Sequence, residues 1–221
     1  MTTDSVAPVS ACLDRRAERR QAIVDKAAKL FAAIGYADCE MERVATEVGI
    51  AKGTLYLYFA SKEELFCACV DCGMRSMQTA VQSAANSVEA PFERISRAVY
   101  TYLKFFADHP EQVELLIQER ANFKNRQQPT YFQYRDANRG PWRELYKGLV
   151  QEGRLRSDLP VERILDTFGH LVYGTMFTNH FNGSNATLDE QHQATMEIMM
   201  RGILGEAEFN RWTYQGPGAS R

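Results

Sequence analysis

Five of the side chains with an ammonium or a hydroxyl group between residues 52 and 62 are candidates to hold phosphate oxygens. They are Lys52, Thr54, Tyr56, Tyr58 and Lys62. A duplex is bound mainly through its phosphates, and side chains of these types donate the hydrogen bonds and charge that such binding needs. The chemistry that this segment suggests is therefore contact with a nucleic-acid backbone, provided that the local helices place the five groups on one exposed side.

Short helical patterns surround this segment. A first amphipathic helix is indicated by apolar residues at helical spacing, Ile23, Ala27, Leu30, Phe31 and Ile34, before Gly35. A second is indicated by Met41, Val44, Ala45 and Val48, before Gly49. Two brief helices joined by a turn containing Gly are typical of a helix-turn-helix, whose second helix enters a major groove. We predict this DNA-binding domain over residues 15–65, with a recognition helix from Ala51 to Phe59.

Positive charge is concentrated in this part of the chain. Arg15 to Lys62 contains nine basic and six acidic residues, a surplus of three, whereas the whole chain carries −2. The arginines ahead of the first helix include Arg19, and two interpretations stay open for them: a flexible arm that extends the DNA contact, or a solvated charge run. Residues 1–14 are small, polar and aperiodic, so we expect a disordered tail, and residues 211–221 are assigned to a second tail.

Several motifs at fixed spacing resemble the amino-terminal domain of the TetR (tetracycline-repressor-like) family. They are Gly35-Tyr36, Val44-Ala45, Gly49-Ile50, Lys52 to Phe59 and Ser61-Lys62-Glu63. The resemblance covers about a quarter of the chain. It implies a homodimer that binds a palindromic operator and is released by a small molecule. Cys39 and Ala51 depart from the family pattern, because the family usually has Ser or Thr there, and a lost helix cap costs about 1 kcal/mol.

The resemblance also implies roles for individual residues. Phosphate contacts are implied for Tyr56, Lys62 and Tyr58. Approach to base edges or backbone is implied for Lys52, Gly53, Thr54 and Leu57. Because Gly53 has no Cβ, the first turn of the recognition helix can come close to DNA. Leu57 would offer only apolar contact, for instance to a thymine methyl.

The rest of the chain predicts further helices and no strands. Ser61 and Glu64 form a capping box that opens a fourth helix running to about Asn86. Later helices are indicated by start signals at Pro91, Pro110, Pro160 and Leu188. We therefore predict an all-α protein, with a three-helix DNA-binding domain and a larger helical domain over residues 66–210 that binds an effector and dimerises.

Aromatic residues are concentrated in the larger domain and favour a pocket for an apolar or aromatic effector. Its predicted lining, with a few polar groups to set orientation, is Tyr102, Phe106, Leu116, Arg120, Phe123, Tyr134, Trp142, His170, Tyr173 and Phe177. The alternative is that each aromatic side chain belongs to an ordinary hydrophobic core. No cofactor is predicted.

Two apolar stripes on the last two long helices predict the dimer interface. The first stripe is Ile164, Phe168, Leu171, Val172 and Thr175. The second is Met196, Met199, Met200 and Ile203. A two-fold dimer matches a palindromic operator. The alternative is that both stripes face the core of their own subunit, as in any amphipathic helix.

Cys67, Cys69 and Cys72 suggest a different regulator, one that responds to oxidants or metals. On a helix, residues 67 and 69 are about 200° apart, so they cannot share one ion, and no metal site is predicted. Small buried packing residues are the commoner explanation for such cysteines. Cysteine-based sensing remains the alternative function.

Catalysis and membrane insertion are not expected. The sequence contains no G-x-S-x-G, no H-E-x-x-H and no phosphate-cradling glycine loop. It also has no apolar run near the roughly 18 residues of a membrane helix, and its first residues lack a signal-peptide pattern. A cytoplasmic regulator is the resulting expectation.

Overall fold

The computed structural model describes the backbone of residues 9–213 and side chains from residue 15. This part of the chain is helical and contains no strand, which confirms the predicted fold class. Within it, no helix is both long and apolar enough to cross a membrane. The helices are α1 (Val9–Ile34), α2 (Met41–Val48), α3 (Lys52–Tyr56), α4 (Lys62–Asn86), α5 (Pro91–Asp108), α6 (Pro110–Asn122), α7 (Thr130–Ala137), α8 (Arg139–Gln151), α9 (Val161–Asn182), α10 (Leu188–Ile203) and α11 (Glu206–Phe209).

The amino-terminal tail predicted from the sequence is partly helical in the structure. Helix α1 begins at Val9, so residues 9–14 are helical although a disordered tail was predicted there. The remainder of that predicted tail, residues 1–8, and residues 214–221 of the predicted carboxy-terminal tail lie outside the described residues. Helix α4 has the predicted bounds, and its capping hydrogen bond runs from the Glu64 amide to the Ser61 hydroxyl at 3.0 Å.

The chain forms two compact units. The first contains the residues up to Gly73 together with Glu114–Gln127, and the second contains Met74–Val113 and the residues from Gln128 onwards. The predicted boundary at residue 65 differs from this division in two ways. The first turns of α4 belong to the first unit, and so does a segment that lies forty residues further along the chain. Periodicity does not reveal this second feature, because it depends on which side chains meet in the folded protein.

Aromatic rings build the core of the first unit. Phe31 of α1 meets Phe66 of α4 edge-on, with ring centroids 5.2 Å apart. Tyr36 lies 5.0 Å from both Phe66 and Phe123. The Gln118 side-chain amide also donates to the Phe31 carbonyl at 2.9 Å. Residues 114–127 therefore complete the core around the DNA-binding helices, and edge-on rings at these separations contribute beyond their buried area.

A buried histidine joins two helices of the second unit. His192 of α10 is fully buried, and its Nε2 lies 2.9 Å from the Ser96 carbonyl of α5. A carbonyl accepts only, so Nε2 carries the proton and donates to it. Burial lowers the pKa of His192 below its usual 6.5, and the hydrogen bond to Ser96 opposes this only in part.

Lowering the pH below 6.5 is expected to destabilise the second unit. Below pH 6.5 His192 binds a proton in the unfolded chain but stays neutral in the folded chain. The stability that neutral His192 contributes is therefore present above pH 6.5 and is lost as the pH falls towards the lower folded pKa. One such group gives a slope of at most about 1.4 kcal/mol per pH unit. Denaturant titrations of the protein and of His192→Gln, whose amide can still donate to Ser96, would measure it. Identical pH slopes in the two proteins would contradict this assignment.

Candidate nucleic-acid interface and ligand cavity

A tight turn places the recognition helix. Helix α2 ends at Gly49, whose φ of 79° and ψ of 40° are left-handed and favour glycine. The Gly49 amide donates to the carbonyls of Ala45 and Thr46, which closes α2 before the chain turns into α3. The N-cap of α3, Ala51, makes no side-chain capping bond, in agreement with its lack of a hydroxyl.

Helix α3 is shorter than predicted. It spans Lys52–Tyr56, and the predicted range of Ala51 to Phe59 was too long. Leu57 still has helical angles, and the Phe59 amide donates to the Leu55 carbonyl at 3.1 Å, so the chain continues as helical turns. A helix this short depends on packing more than on its own hydrogen bonds.

Burial divides this segment into an anchored side and an open side. Leu55 and Phe59 are fully buried and fix the segment in the first unit. Leu57 is 74% exposed and Tyr56 is 45% exposed, although both side chains are large and partly apolar. Lys52 and Gly53 are exposed beside them, and Thr54 is half-buried. The open side thus presents cationic, hydroxyl and apolar groups to the same region, which suits DNA phosphates and base edges.

Lys52 is held by an ion pair on this surface. Its ammonium lies 2.8 Å from a carboxylate oxygen of Glu42 on α2, and both side chains are at least half exposed. The hydrogen bond to Glu42 is the main reason that the pKa of Lys52 is raised, so the lysine stays charged at neutral pH. A phosphate can replace the carboxylate at small cost, because exposed ion pairs are weak.

Lys62 makes contacts within the protein. Its Nζ donates to the carbonyls of Tyr36 and Ala37, at 2.8 and 3.0 Å, and lies 4.6 Å from the centre of the Tyr36 ring. The ammonium therefore holds the turn between α1 and α2. This differs from the phosphate contact that the family resemblance implies, because two of its three donors are already used by carbonyls.

Lys62→Ala is expected to destabilise the first unit by about 1 kcal/mol, because two charge-assisted hydrogen bonds and a cation–π contact are lost. Lys52→Ala is the matched control, since it removes a lysine of the same segment whose only bond is an exposed ion pair, and it should change stability by less than about 0.5 kcal/mol. Denaturant midpoints compare the two variants. Equal midpoints for both would contradict the structural role of Lys62.

The amino-terminal arginines lie inside α1, so of the two interpretations the flexible arm is not the one that the structure shows. They are Arg15, Arg16, Arg19 and Arg20. Arg16 and Arg20 are one turn apart and stack on aromatic rings of the recognition segment. The Arg16 guanidinium lies 5.8 Å from the Tyr58 ring centre, and that of Arg20 lies 4.7 Å from the Phe59 ring centre. Arg19 is exposed on the same helix.

The second unit contains an open, mostly apolar cavity of about 200 Å³. Two predicted ligand-binding residues, Tyr102 and Trp142, line it. Three residues that were predicted for the dimer interface also line it, namely Phe168, Val172 and Met199. The prediction missed the remaining lining residues, which are Met77, Gln78, Val81, Ile95, Ala98, Val99, Tyr131, Arg135, Asn138, Arg139, Tyr146, Leu165 and Gly169. The i, i+4 spacing of Arg135 and Arg139 between aromatic residues is the sequence signal that could have revealed the polar part of the wall.

The other predicted ligand-binding residues lie elsewhere. Phe106 lines a second cavity of about 370 Å³. Leu116, Arg120 and Phe123 belong to the segment that completes the first unit, and Phe123 packs there on Tyr36 and Phe66. The rest do not line the first cavity; they are Tyr134, His170, Tyr173 and Phe177. On α9 the reason is helical phase, because the face that carries Phe168 and Val172 points away from the side that carries His170.

More than half of the residues in the predicted dimer stripes are buried within the single protomer. Their buried members lie in the core of the protomer itself; they are Ile164, Met196, Met199, Met200 and Ile203. Thr175 is half-buried, and its hydroxyl donates to the Leu171 carbonyl. The large apolar side chains that stay open on these two helices are Leu171, Phe181 and Ile198, which are 36%, 65% and 69% exposed. Periodicity located two apolar faces, but it could not tell which one the protomer covers.

An all-helical chain whose amino-terminal unit is a helix-turn-helix defines a class of DNA-binding transcriptional regulators. The sequence profile described as bacterial regulatory proteins, tetR family, matches residues 23–69, which include α2, α3 and the start of α4. Residues 23–69 of the chain therefore carry the amino-terminal domain of the tetR family.

Relatives of the chain are transcriptional regulators. It is 30% identical to the uncharacterised HTH-type regulator YerO of Bacillus subtilis over 119 residues, which are 52% of this chain and 40% of that protein. It is 25% identical to the repressor KstR2 of Mycobacterium tuberculosis over 192 residues, 85% of this chain and 94% of the other. The fatty acid degradation regulator FadR of Bacillus halodurans has the same fold, with a TM-score of 0.73 at 18% identity, over 83% of this chain and 95% of that one. The matches to YerO and to a second Bacillus subtilis regulator span only about half of those proteins or less.

Proposed function

We propose that the chain is a homodimeric repressor that binds a palindromic operator and leaves it when a small molecule fills the cavity of the second unit. The observation that carries the proposal is the open side of the recognition segment, where Tyr56 and Leu57 are exposed while Leu55 and Phe59 are buried. A large apolar side chain that is three-quarters exposed beside cationic and hydroxyl groups is suited to a DNA groove.

The polar and exposed groups of this segment each have a proposed task on DNA. Lys52 exchanges Glu42 for a phosphate, and Tyr56, Tyr58 and Thr54 donate hydroxyl bonds to the backbone. Gly53 adds no side chain between helix and groove. Leu57 meets an apolar base edge, and Arg19 adds positive charge from α1.

A second copy of the chain is the proposed partner for the open faces of α9 and α10. These helices contact each other, and their exposed residues include Phe181, Leu171 and Ile198 together with Gly174 and Gly202. The glycines permit close approach of a neighbouring helix. A two-fold pair of these faces would bury the three apolar side chains, and it would give the two recognition elements that a palindromic operator requires.

The properties of the cysteines favour regulation by a bound ligand rather than regulation by cysteine oxidation or metal binding. Burial raises the pKa of the thiols of Cys39, Cys67 and Cys69, and Cys69 is completely buried. The thiolate is the reactive form, so little of it is present at neutral pH. Among the described residues, no group of three or more His, Cys, Asp or Glu side chains is placed to hold a metal ion.

Release from the operator follows from differential binding. A ligand that fits one conformation of the second unit better shifts the population towards it. Helix α4 contributes residues to both units, so it is the proposed element that carries the change. When the two recognition segments no longer match the two half-sites together, the advantage of double engagement is lost.

Fluorescence anisotropy with the duplex upstream of its own gene tests the proposal. Tight binding that weakens steeply with salt is expected, because phosphate contacts release counterions. Lys52→Ala should reduce the slope of log K against log salt by about one. The absence of a preference for this duplex over a scrambled one would contradict regulation of this gene, and binding that no compound of an apolar panel weakens would contradict ligand release.

A further inference from the structure

The two cavities of the second unit follow one another along helix α5. The residues of α5 that line the first cavity are Ile95, Ala98, Val99 and Tyr102, and those that line the second cavity are Leu103, Phe106 and Ala107. These positions recur mostly at steps of three or four residues, so they share one side of the helix. At a rise of about 1.5 Å per residue, this side is about 10 Å long from Ile95 to Tyr102 and about 18 Å long from Ile95 to Ala107.

Helix α9 packs on α5 and shows the same order. Its residues Leu165, Phe168, Gly169 and Val172 line the first cavity, and Met176, Asn179 and His180 line the second. All seven positions fall within an arc of about 120° around the helix, over a length of about 22 Å. The two cavities are therefore consecutive parts of the space along this pair of helices.

Three buried side chains meet where the first cavity gives way to the second. Tyr102 lines the first cavity, and its hydroxyl donates to the sulfur of Met176, which lines the second, at 3.6 Å. The ring centroid of Tyr102 lies 5.0 Å from that of Phe106, which also lines the second cavity. The relative exposures of Tyr102, Phe106 and Met176 are 8%, 5% and 3%. These contacts between side chains separate the two cavities.

The contact between Tyr102 and Met176 is easy to open. A thioether sulfur is a weak hydrogen-bond acceptor, and a methionine side chain adapts its shape through three rotatable bonds. The first cavity, of about 200 Å³, lies below the roughly 300–1,000 Å³ of typical ligand sites. Together with the second cavity, of about 370 Å³, it comes within that range. A ligand of ordinary size thus needs both cavities.

The polar groups of the second cavity are suited to an uncharged ligand. None of the described residues that line it is a lysine, arginine, aspartate or glutamate. The Gln191 amide donates to the Ser184 hydroxyl at 2.7 Å and to the Ala186 carbonyl at 2.9 Å, and it accepts a hydrogen bond from Asn179. Amide and hydroxyl groups exchange hydrogen bonds with a neutral hydroxyl but do not balance the charge of a carboxylate.

The arginines of the first cavity already have carboxylate partners. Arg139 Nη1 lies 2.6 Å from an oxygen of Asp166, and Nη2 lies 2.9 Å from an oxygen of Glu162. Arg135 Nη2 lies 2.7 Å from an oxygen of Asp136. A carboxylate ligand would add negative charge beside these pairs, so an uncharged ligand is favoured here too.

We propose that the two cavities form one elongated site for a single uncharged, mainly apolar chain molecule with a hydroxyl end group. The chain passes between Tyr102 and Met176, and its hydroxyl lies in the second cavity, which Asn179, Ser184 and Gln191 line. This inference rests on the proposed function, because it gives the shape and chemistry of the same effector.

Calorimetric titration of the full chain with hexanol, decanol and decanoate tests this inference. An extended alkyl chain advances about 1.3 Å per carbon, so hexanol, at about 8 Å, fits the first cavity alone, whereas decanol, at about 13 Å, does not. Decanol is expected to bind at least about 30-fold tighter than hexanol, because each additional buried methylene contributes about threefold to fourfold. Decanoate should bind at least about tenfold more weakly than decanol.

Three results of this titration would overturn the inference. They are a difference of less than about threefold between decanol and hexanol, decanoate binding as tight as that of decanol, and no binding of any of the three probes.

Tyr102→Phe tests the passage between the cavities. This change keeps the ring but removes the hydroxyl that bonds to Met176, so the preference for decanol over hexanol should increase about threefold or more. Tyr146→Phe is the control, because Tyr146 is another buried tyrosine of the first cavity, and it should leave the preference unchanged. An unchanged preference in Tyr102→Phe, or the same increase in both variants, overturns the passage.

Ala107→Phe tests occupation of the second cavity. Ala107 lines this cavity and is exposed, so a larger side chain is tolerated there and reduces the space for the chain. The preference for decanol should fall to within about threefold, while hexanol binding stays unchanged. Ala137→Phe adds the same ring at an exposed position of α7 that lines neither cavity, and it should keep the preference. A preference that persists in Ala107→Phe overturns the use of the second cavity.

The outcome can be separated from that of the proposed function, since the titrations contain no DNA. A protein that prefers decanol in this way yet keeps its operator when decanol is bound supports the inference and contradicts ligand release. A protein that leaves its operator with another compound but binds hexanol and decanol equally overturns the inference and leaves the proposed function intact.

Discussion

Ile198→Glu is expected to convert the proposed dimer into a monomer and to weaken operator binding by about 100-fold or more. Ile198 is 69% exposed on α10, and Leu171 and Phe181 are large apolar side chains that stay exposed on α9. Two-fold symmetry would place a glutamate from each copy in one apolar interface, and a buried charge without a partner is strongly unfavourable. The affinity falls because each half-site is then bound separately.

Sedimentation velocity and anisotropy measure the two effects. Gln193→Glu is the matched control, since it adds the same charge to an exposed position of α10 about 140° around the helix from Ile198. This control should remain dimeric and keep its operator affinity. A dimer that survives Ile198→Glu would show that this face is not the interface.

Phe66→Ala is expected to destabilise the first unit by about 3–5 kcal/mol, because it removes a fully buried ring from the aromatic core. Phe66 contacts Phe31 and Tyr36, and it also lies 5.5 Å from Phe123 in the segment 114–127. A loss of this size is a large part of the stability of a small domain, so specific DNA binding should be lost at moderate temperature.

Thermal unfolding followed by circular dichroism measures this loss. Phe209→Ala is the control, because Phe209 is a phenylalanine that is 41% exposed, and its replacement should cost less than about 1 kcal/mol. Similar costs for the two variants would contradict the assignment of Phe66 to the core of the DNA-binding unit.

The same aromatic core explains why Phe123 was assigned to the wrong place from sequence. Its position in the larger predicted domain and its aromatic ring both favoured the ligand pocket. In the folded protein residues 114–127 belong to the first unit, where Phe123 packs on Tyr36 and the Gln118 side chain donates a hydrogen bond to the Phe31 carbonyl. Local pattern cannot reveal such a return, because the interacting residues are about ninety positions apart.

Two lysines of the recognition segment also show what the sequence alone does not reveal. Lys52 and Lys62 have the same chemistry in the sequence, and both are implied to contact DNA by the family resemblance. In the folded protein Lys52 holds only an exposed carboxylate, whereas Lys62 is bound to the carbonyls of Tyr36 and Ala37. Only the folded chain brings those carbonyls within reach, so only the structure shows that Lys62 is an internal support whereas Lys52 has a single exposed partner.

The sequence by itself determined the helices, the glycine-ended turn and the segment that would face DNA. These depend on local properties: helical periodicity, the left-handed conformation of Gly49, and the alternation of buried Leu55 with exposed Leu57. The tertiary structure alone decided which apolar faces the protomer covers and which rings line the cavity. Those outcomes depend on contacts between segments that are distant in the sequence. The sequence of an amphipathic helix shows that one face is apolar, but it does not show whether that face packs on its own chain, on a ligand or on a second copy.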